Sequence, residues 1–185
     1  MPPAILRLGD PRLRRLAAPV DLTDRASVLG DLGRLHAELA AFRAANGFGR
    51  AIAAPQLGID RRMIAMNLGT GPLAILDPEI VWRSRETFTL WDDCLCFPEL
   101  LVRVRRHASI SVRYRDEHGR TILREHLPRG ESELFQHEID HLDGILAVDR
   151  AEGDPATITR EQFAADPARF AAMVDALIGG PFGAA

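Results

Sequence analysis

The stretch Gln136-His137-Glu138-Ile139-Asp140-His141 decides which fold and which chemistry the sequence predicts. On an α-helix of about 3.6 residues per turn, residues four apart lie on one face with Cβ atoms about 6 Å apart, so His137 and His141 can bind one metal ion. Glu138 can reach a water on the open side of that ion and act as a general base. The stretch predicts half of a hydrolytic metal site, although a solvated helix face would show the same pattern.

Two helices are predicted from apolar residues that recur at three- and four-residue intervals. The first covers residues 22–46 and ends at Gly47, and the second, which carries the histidine pair, covers residues 131–142. A C-terminal helical segment is expected over residues 158–178 with a break before Pro167, followed by a frayed tail at 179–185. The apolar stripe of the first helix consists of Val28, Leu29, Leu32, Leu35, Leu39 and Phe42.

The middle of the chain contains short apolar or alternating runs separated by turn residues, which predicts antiparallel strands. These runs cover residues 62–66, 73–76, 87–91, 101–104, 109–114 and 121–126. His107, His118 and His126 lie in or near these strands, and His36 lies on the first helix. None has a partner at ligand spacing, so a surface or packing role is expected for His36 and a solvated position for the other three.

Composition predicts one domain that spans residues 1–185, because 185 residues with 46% apolar content can bury one substantial core. The net charge of -3 offers no basic surface for a phosphate backbone, so nucleic acid is excluded as a direct partner. There is no signal-peptide pattern and no apolar run of about 18 residues, so no membrane contact and a cytoplasmic location are expected.

The missing third ligand is expected to be a cysteine. Cys94 and Cys96 lie only two positions apart and are poorly placed to form a disulfide with each other, which favours reduced thiols. One thiolate with two neutral imidazoles leaves a fourth position for water or substrate, as hydrolytic metals require. Spacing alone does not choose between Cys94 and Cys96.

Three ordered motifs together resemble the signature motifs of peptide deformylases. They are Gly49-Arg50-Ala51-Ile52-Ala53-Ala54-Pro55-Gln56, then Cys94-Leu95, then residues 136–141. Residues 8–14 and Pro98-Glu99 also fit, so the resemblance covers residues 4 to 150, and three motifs in this order are far more specific than one.

The resemblance implies an α+β fold in which antiparallel β-sheets pack around a central metal-binding helix, with an N-terminal and a C-terminal helix. It implies removal of the formyl group from the N-terminal methionine of newly made polypeptides. Formylated peptide N-termini are then the substrate, and a ribosome association is left open.

The resemblance also assigns roles to individual residues. Cys94, His137 and His141 are the implied metal ligands, and Glu138 is the implied general base. Gln56 and the backbone N–H of Leu95 hold the carbonyl oxygen as it becomes negative. The implied metal is one divalent ion, iron(II) first, with zinc, nickel or cobalt also able to bind, because this ligand set does not decide between iron and zinc.

Acidic residues around the ligands give two further expectations. Asp92 stands where the family usually has Glu, and its carboxylate could accept the free N–H of a ligand imidazole. Asp140 is expected to pair with Arg106. For both carboxylates, a solvated surface charge is the alternative.

The sequence departs from the family pattern at Ala51, Asp93 and Cys96, where the family has Gly, Gly and Ser. Arg50 and Glu133 align with an apolar pocket for the methionine side chain. If both face that pocket, we expect them to pair with each other or to bind a polar substrate. The alternative is that both face water. These departures keep two rival functions open: an amidase for another N-formyl or N-acyl compound, or a metal-binding fold without turnover.

Overall fold

The computed structural model describes residues 5–178 of the chain, which form four α-helices and eight β-strands. The helices are α1 (Arg25–Asn46), α2 (Arg129–Leu142), α3 (Arg160–Ala165) and α4 (Pro167–Ala171). The strands are β1 (Ala51–Ala53), β2 (Met63–Met66), β3 (Leu73–Arg83), β4 (Thr87–Asp93), β5 (Leu100–His107), β6 (Ile110–Arg115), β7 (Thr121–Arg124) and β8 (Thr157–Thr159).

Helix α1 confirms the first predicted helix. The Asp24 side chain accepts a hydrogen bond from the Ser27 backbone N–H at the N-terminus, and Gly47 ends the helix in the left-handed conformation with φ 77°. Residues 22–24, predicted as the start of this helix, form a separate 3-10 turn. Leu29 does not belong to the buried stripe, since 43% of it is exposed. The other five predicted residues of the stripe are buried.

The strands form two antiparallel sheets, as predicted. The five-stranded sheet has the order β1-β2-β3-β6-β7, and the three-stranded sheet has the order β4-β5-β8. Every pair of neighbouring strands is antiparallel. Together with the helices, the two sheets confirm the α+β class.

Helix α2 lies at the centre of this architecture and contacts both sheets through β1 and β5. Its residues from Ser132 to Leu142 are all buried, the polar ones included. Phe135 and Leu142 are completely buried in the cluster that α2 shares with the five-stranded sheet. Full burial of such a side chain stabilises the fold by about 1.5–3 kcal/mol. Burial of polar residues is costly without partners, so those on α2 require a specific explanation.

Several predicted boundaries need correction. Strand β3 extends to Arg83, beyond the predicted end at Leu76, and a register shift between Leu76 and Glu79 accommodates Pro78 inside it. Strands β1 and β8 were not predicted. No helix in the part of the chain from 5 to 178 is long and apolar enough to cross a membrane.

The predicted C-terminal helix over residues 158–178 is wrong in extent. Ile158 pairs with Leu101 in β8, and the helical part consists of the short helices α3 and α4, the second of which starts at Pro167 as expected. After α4, Ala176 forms a β-bridge with Leu90. The predicted tail at 179–185 lies outside the described residues.

Candidate metal centre

Two parts of the fold bring the three predicted ligands together. Helix α2 supplies His137 and His141, and the segment directly after β4 supplies Cys94. The Cys94 Sγ atom lies 3.3 Å from Nε2 of His141, which in turn lies 3.2 Å from Nε2 of His137. All three side chains are buried. One sulfur and two ring nitrogens therefore converge around the Nε2 atom of His141.

The chemistry of these donors fits a divalent transition metal. A thiolate and neutral imidazoles are ligands that zinc and iron accept, and a cation between them would relieve the repulsion between their lone pairs. Glu138 Oε2 is buried and has no hydrogen-bond partner among residues 5–178. A buried carboxylate oxygen without a partner points to a group that binds beside it, such as a water or a substrate.

Cys96 also lies at this centre, so both cysteines between which the spacing did not choose are close to His141. The ligand atoms of Cys94, Cys96 and His141 all lie within 4.8 Å of one another, a compact group that contains Cys96 and not His137. Both cysteines are buried and free, which confirms the expectation of reduced thiols. Burial raises the pKa of the Cys94 thiol, whereas the hydrogen bond from Cys94 lowers the pKa of Cys96.

Gln56 faces both sulfur atoms from the 3-10 helix (Ala54–Leu57) that follows β1. Its Oε1 atom accepts a hydrogen bond of 2.8 Å from the backbone N–H of Ala53, which turns Nε2 toward the centre. Nε2 then lies 3.4 Å from Cys96 Sγ and 3.8 Å from Cys94 Sγ. Leu95 is buried between the two cysteines, and its backbone N–H makes no hydrogen bond within residues 5–178.

Asp92 and Arg106 support His137 from behind. The Asp92 carboxylate lies 3.0 Å from Nδ1 of His137 and accepts a hydrogen bond of 3.0 Å from Arg106, which also donates to Asp140 at 2.5 Å. Both expected contacts, of Asp92 with the His137 ring and of Asp140 with Arg106, are confirmed. The alternative that these carboxylates are solvated surface charges is wrong, since both are buried.

The charges around α2 shift several pKa values. Burial alone would lower the pKa of His137, but the Asp92 carboxylate outweighs it and raises the value to about 9. Burial lowers the pKa of His141 well below its usual value, with His137 adding to the effect. Burial raises the pKa of Glu138 to about 7. Asp92 thus favours positive charge at the His137 ring, whether that charge is a proton or a metal ion.

An open recess of about 330 Å³, including the space at its mouth, leads to this centre. Arg50 and Glu133 line it and form an ion pair of 2.5 Å, which confirms the expected pairing. The alternative that both face water is wrong, because only 1% of the Glu133 side chain and 19% of the Arg50 side chain are exposed. The other lining residues are Gly49, Ala51, Asp92, Asp93, Leu95, Leu134, His137 and Glu138.

Two arginines near the site were missed by the sequence interpretation. Arg150 donates to both carboxylate oxygens of Asp140, at 2.5 and 2.6 Å. Arg160 binds Asp93 at 2.7 Å and lies 3.7 Å above the ring of Phe48. The Arg160–Asp93 contact joins residues that are 67 positions apart, and the Arg150–Asp140 contact joins residues that are 10 positions apart, so neither has the three- or four-residue spacing of a helix pair.

Four histidines were not predicted to bind a metal, and three of them contact residues outside the centre. His107 Nδ1 lies 2.8 Å from the Ser84 carbonyl oxygen, and His126 packs against Trp82 with 4.6 Å between the ring centroids. Nδ1 of His118 lies 3.0 Å from Arg25, and His36 is half-buried on α1.

Comparisons with known proteins agree with the geometry. The family model of polypeptide deformylase matches residues 2–155. The peptide deformylase of Thermotoga neapolitana is 36% identical over 154 residues, which cover 83% of this chain and 90% of the relative. A peptide deformylase-like protein of Brucella melitensis is 37% identical over 153 residues, 79% of this chain and 86% of the relative.

Solved structures give the same result. The crystal structure of peptide deformylase from Thermotoga maritima matches with a TM-score of 0.73 and 36% identity, and the match covers 80% of this chain and 97% of that chain. A peptide deformylase from Synechococcus elongatus in complex with actinonin matches with a TM-score of 0.73 and 29% identity over 84% of each chain. By its motifs, its fold and these relatives, the chain belongs to the peptide deformylase family, whose members are metal-dependent hydrolases.

Proposed function

We propose that this protein removes the N-formyl group from the N-terminal methionine of newly made polypeptides, with one divalent metal ion held by Cys94, His137 and His141. The observation that carries the proposal is the convergence of one sulfur and two ring nitrogens at 3.2 and 3.3 Å beside the unpartnered carboxylate oxygen of Glu138. Two histidines and a glutamate on a buried helix have no evident structural purpose, since polar and charged groups there are costly unless they are paired.

Iron(II) is the proposed native ion, with zinc, nickel and cobalt as ions that the same residues can hold. Bound there, a divalent ion polarises a carbonyl group and makes water a better nucleophile at neutral pH. The thiolate of Cys94 and the two imidazoles support either iron or zinc.

Glu138 is the proposed general base and then the general acid. Its carboxylate takes a proton from the attacking water and later delivers it to the amine nitrogen that leaves. A group does both best when its pKa lies near the working pH, and burial raises the pKa of Glu138 to about 7.

Gln56 and Leu95 are proposed to bind the formyl oxygen as negative charge develops on it. The Gln56 amide is held by Ala53, so its N–H groups face the centre before the substrate arrives. The N–H of Leu95, which has no acceptor within residues 5–178, supplies a second donor. Oriented donors of this kind stabilise the transition state more than the ground state.

The substrate enters through the recess beside Arg50 and Glu133. Formylated N-termini arise where translation begins, so we propose that the protein works in the cytoplasm on chains that emerge from the ribosome, as a single domain. A transient association with the ribosome fits this role and would be tested by cosedimentation with translating ribosomes.

The activity is tested with protein prepared anaerobically and loaded with iron(II), after its metal content has been measured. Formate release is measured with formyl-Met-Ala-Ser, with formyl-Ser-Ala-Ser and with formyl-methionine alone. Release from the methionine peptide at the highest kcat/KM supports the proposal. Equal metal loading without formate release from any peptide would contradict it, and release from the serine peptide alone would support the alternative of a different N-formyl substrate. Glu161→Gln, on the exposed surface of α3, is the control for a neutralised glutamate.

A further inference from the structure

We infer that Cys96 is an additional ligand of the metal ion, so that the resting centre is bound by two thiolates together with imidazole nitrogen. The inference rests on the proposed metal site and goes beyond it, because neither the histidine pair nor the family motifs assign a role to Cys96.

Cys96 Sγ lies close enough to the other donors to share one ion with them. The ligand atoms of Cys94, Cys96 and His141 form the one compact group of metal-binding side chains that is found between residues 5 and 178, with all three atoms within 4.8 Å of one another. Two ligands of one zinc ion, each with a bond of about 2.0–2.3 Å, lie within that separation. Small side-chain rotations would therefore bring both sulfurs to one ion.

Backbone hydrogen bonds fix the position of Cys96. Its N–H lies 3.4 Å from Sγ of Cys94, and its carbonyl oxygen accepts a hydrogen bond of 3.1 Å from the Leu8 N–H. Only 1% of the residue is exposed. The sulfur is thus held beside the centre and away from solvent.

A polar donor faces the sulfur of Cys96. The Nε2 atom of Gln56 lies 3.4 Å from Cys96 Sγ, closer than to Cys94 Sγ at 3.8 Å. An amide N–H that points at a sulfur stabilises a thiolate, which is the form that binds metals. The rival role for Cys96 is that of a small apolar residue in the cluster around Phe97 and Val102. Packing alone does not require its sulfur to face His141 and an amide donor.

A second thiolate has two consequences. Thiolate ligands favour zinc and other soft ions, so the second thiolate would raise the affinity for zinc more than the affinity for iron(II), the proposed native ion. If Cys96 binds together with the three proposed ligands, four protein donors fill the positions around the ion, so Cys96 would have to leave it before water or substrate binds. Cys96 would then compete with water and substrate for the ion, and its removal would weaken metal binding while it increases access for the substrate.

Cobalt(II) tests the inference, because thiolate-to-cobalt charge transfer gives a near-ultraviolet band whose strength rises with the number of thiolates. Three full-length proteins are titrated anaerobically with cobalt(II): the wild type, Cys96→Ser and Cys94→Ser. We expect a wild-type band about twice as strong as that of either single variant, if each thiolate contributes equally. Bands of equal strength in wild type and Cys96→Ser would overturn the inference.

X-ray absorption of the zinc-loaded wild-type protein keeps the test independent of how the variants fold. Two sulfur scatterers at about 2.3 Å support the inference, and a single one overturns it. One sulfur together with formate release would refute the role of Cys96 and leave the proposed function intact. Two sulfurs without formate release would refute the proposed function and leave the role of Cys96 intact.

Discussion

His137 Nδ1 lies 3.0 Å from the carboxylate of Asp92, and both side chains are buried. The contact holds the ring with Nε2 3.2 Å from Nε2 of His141, and it places a negative charge behind the proposed metal ligand. A carboxylate behind a ligand imidazole increases the basicity of the ring and orients it. The sequence predicted Asp92 as a partner of a ligand imidazole only from its position two residues before Cys94. The structure places the Asp92 carboxylate beside the His137 ring.

Replacement of Asp92 by asparagine should weaken metal binding. The amide keeps the size of the side chain but removes the charge that favours a cation on His137, so we expect a loss of metal affinity of about 10- to 100-fold. Zinc affinity is measured by competition with a chromophoric chelator at fixed pH. Asp31→Asn, on α1 and paired with Arg61, is the matched control and should leave the affinity unchanged. Equal affinities of wild type and Asp92→Asn would contradict the assigned role.

Arg106→Met should destabilise the fold strongly. Arg106 is buried and joins Asp92 to Asp140, so its loss leaves buried negative charges with too little compensation. Removal of one partner of a buried ion pair costs about 3–5 kcal/mol in the free energy of unfolding. The value is measured by urea denaturation of the protein.

Arg113→Met is the control for that experiment, because Arg113 forms an ion pair with Glu79 in which both side chains are more than half exposed. Exposed pairs contribute about 0–1 kcal/mol. If both variants lose the same free energy of unfolding, the buried network does not have the structural role argued here.

The Arg50–Glu133 pair should determine which first side chain the recess accepts. The double variant Arg50→Leu with Glu133→Leu replaces a buried ion pair by apolar side chains, which is often neutral or stabilising. We expect the ratio of kcat/KM for formyl-Met to formyl-Ser peptides to rise about tenfold, since an added apolar contact contributes about 1–3 kcal/mol of discrimination.

Glu133→Leu alone should behave differently from the double variant, because it leaves Arg50 charged in the recess. A lower free energy of unfolding is expected for this single variant and not for the double one. If the double variant shows the wild-type ratio of kcat/KM values, the pair does not face the bound side chain.

Asp175 should make the free energy of unfolding depend on pH in the acid range. Its carboxylate accepts hydrogen bonds of 2.8 Å from the N–H and the hydroxyl of Thr89, and these bonds hold its pKa below the usual value. A group with a depressed pKa in the folded state contributes stability above its unfolded pKa of about 3.9 and loses that contribution as the pH falls through the folded value. Asp175→Asn should therefore lower the free energy of unfolding at pH 7. Below a pH of about 4, the free energy of unfolding should fall less steeply in the variant than in the wild type.

The measurement for Asp175 is urea unfolding of both proteins across the acid range. The difference in the free energy of unfolding between wild type and Asp175→Asn should shrink as the pH falls. A difference that stays constant from neutral pH down to pH about 3 would count against this assignment.

Much of the fold and the site could be predicted because the signals are local. The four-residue spacing of His137 and His141 needs only helical geometry, and Gly47 marks a helix end by its own conformation. The grouping of Gln56 and Cys94 with the residues of α2 was implied by the three ordered motifs, because together they indicate a family resemblance that no single motif shows.

The missing parts depend on contacts between distant segments. Ile158 has helical spacing with the apolar residues after it, yet it pairs with Leu101 and extends the small sheet as β8. Tertiary pairing overrides local preference in such short strands. Arg160 reaches Asp93, 67 residues away, only in the folded chain, and Cys96 meets His141 only where the segment after β4 packs on α2. Arg150 lies only 10 residues after Asp140, but this spacing matches no helix or strand period.

The central claim is that Glu138 moves the proton in a deformylation at this centre. The most direct test is formate release from formyl-Met-Ala-Ser by iron(II)-loaded wild type and by Glu138→Gln with the same measured metal content. We predict ready release by wild type and a value of kcat lower by about 10²- to 10⁴-fold in the variant, as expected for loss of a general acid–base group. Equal kcat values for the two proteins, or no release by fully loaded wild type, would contradict the account.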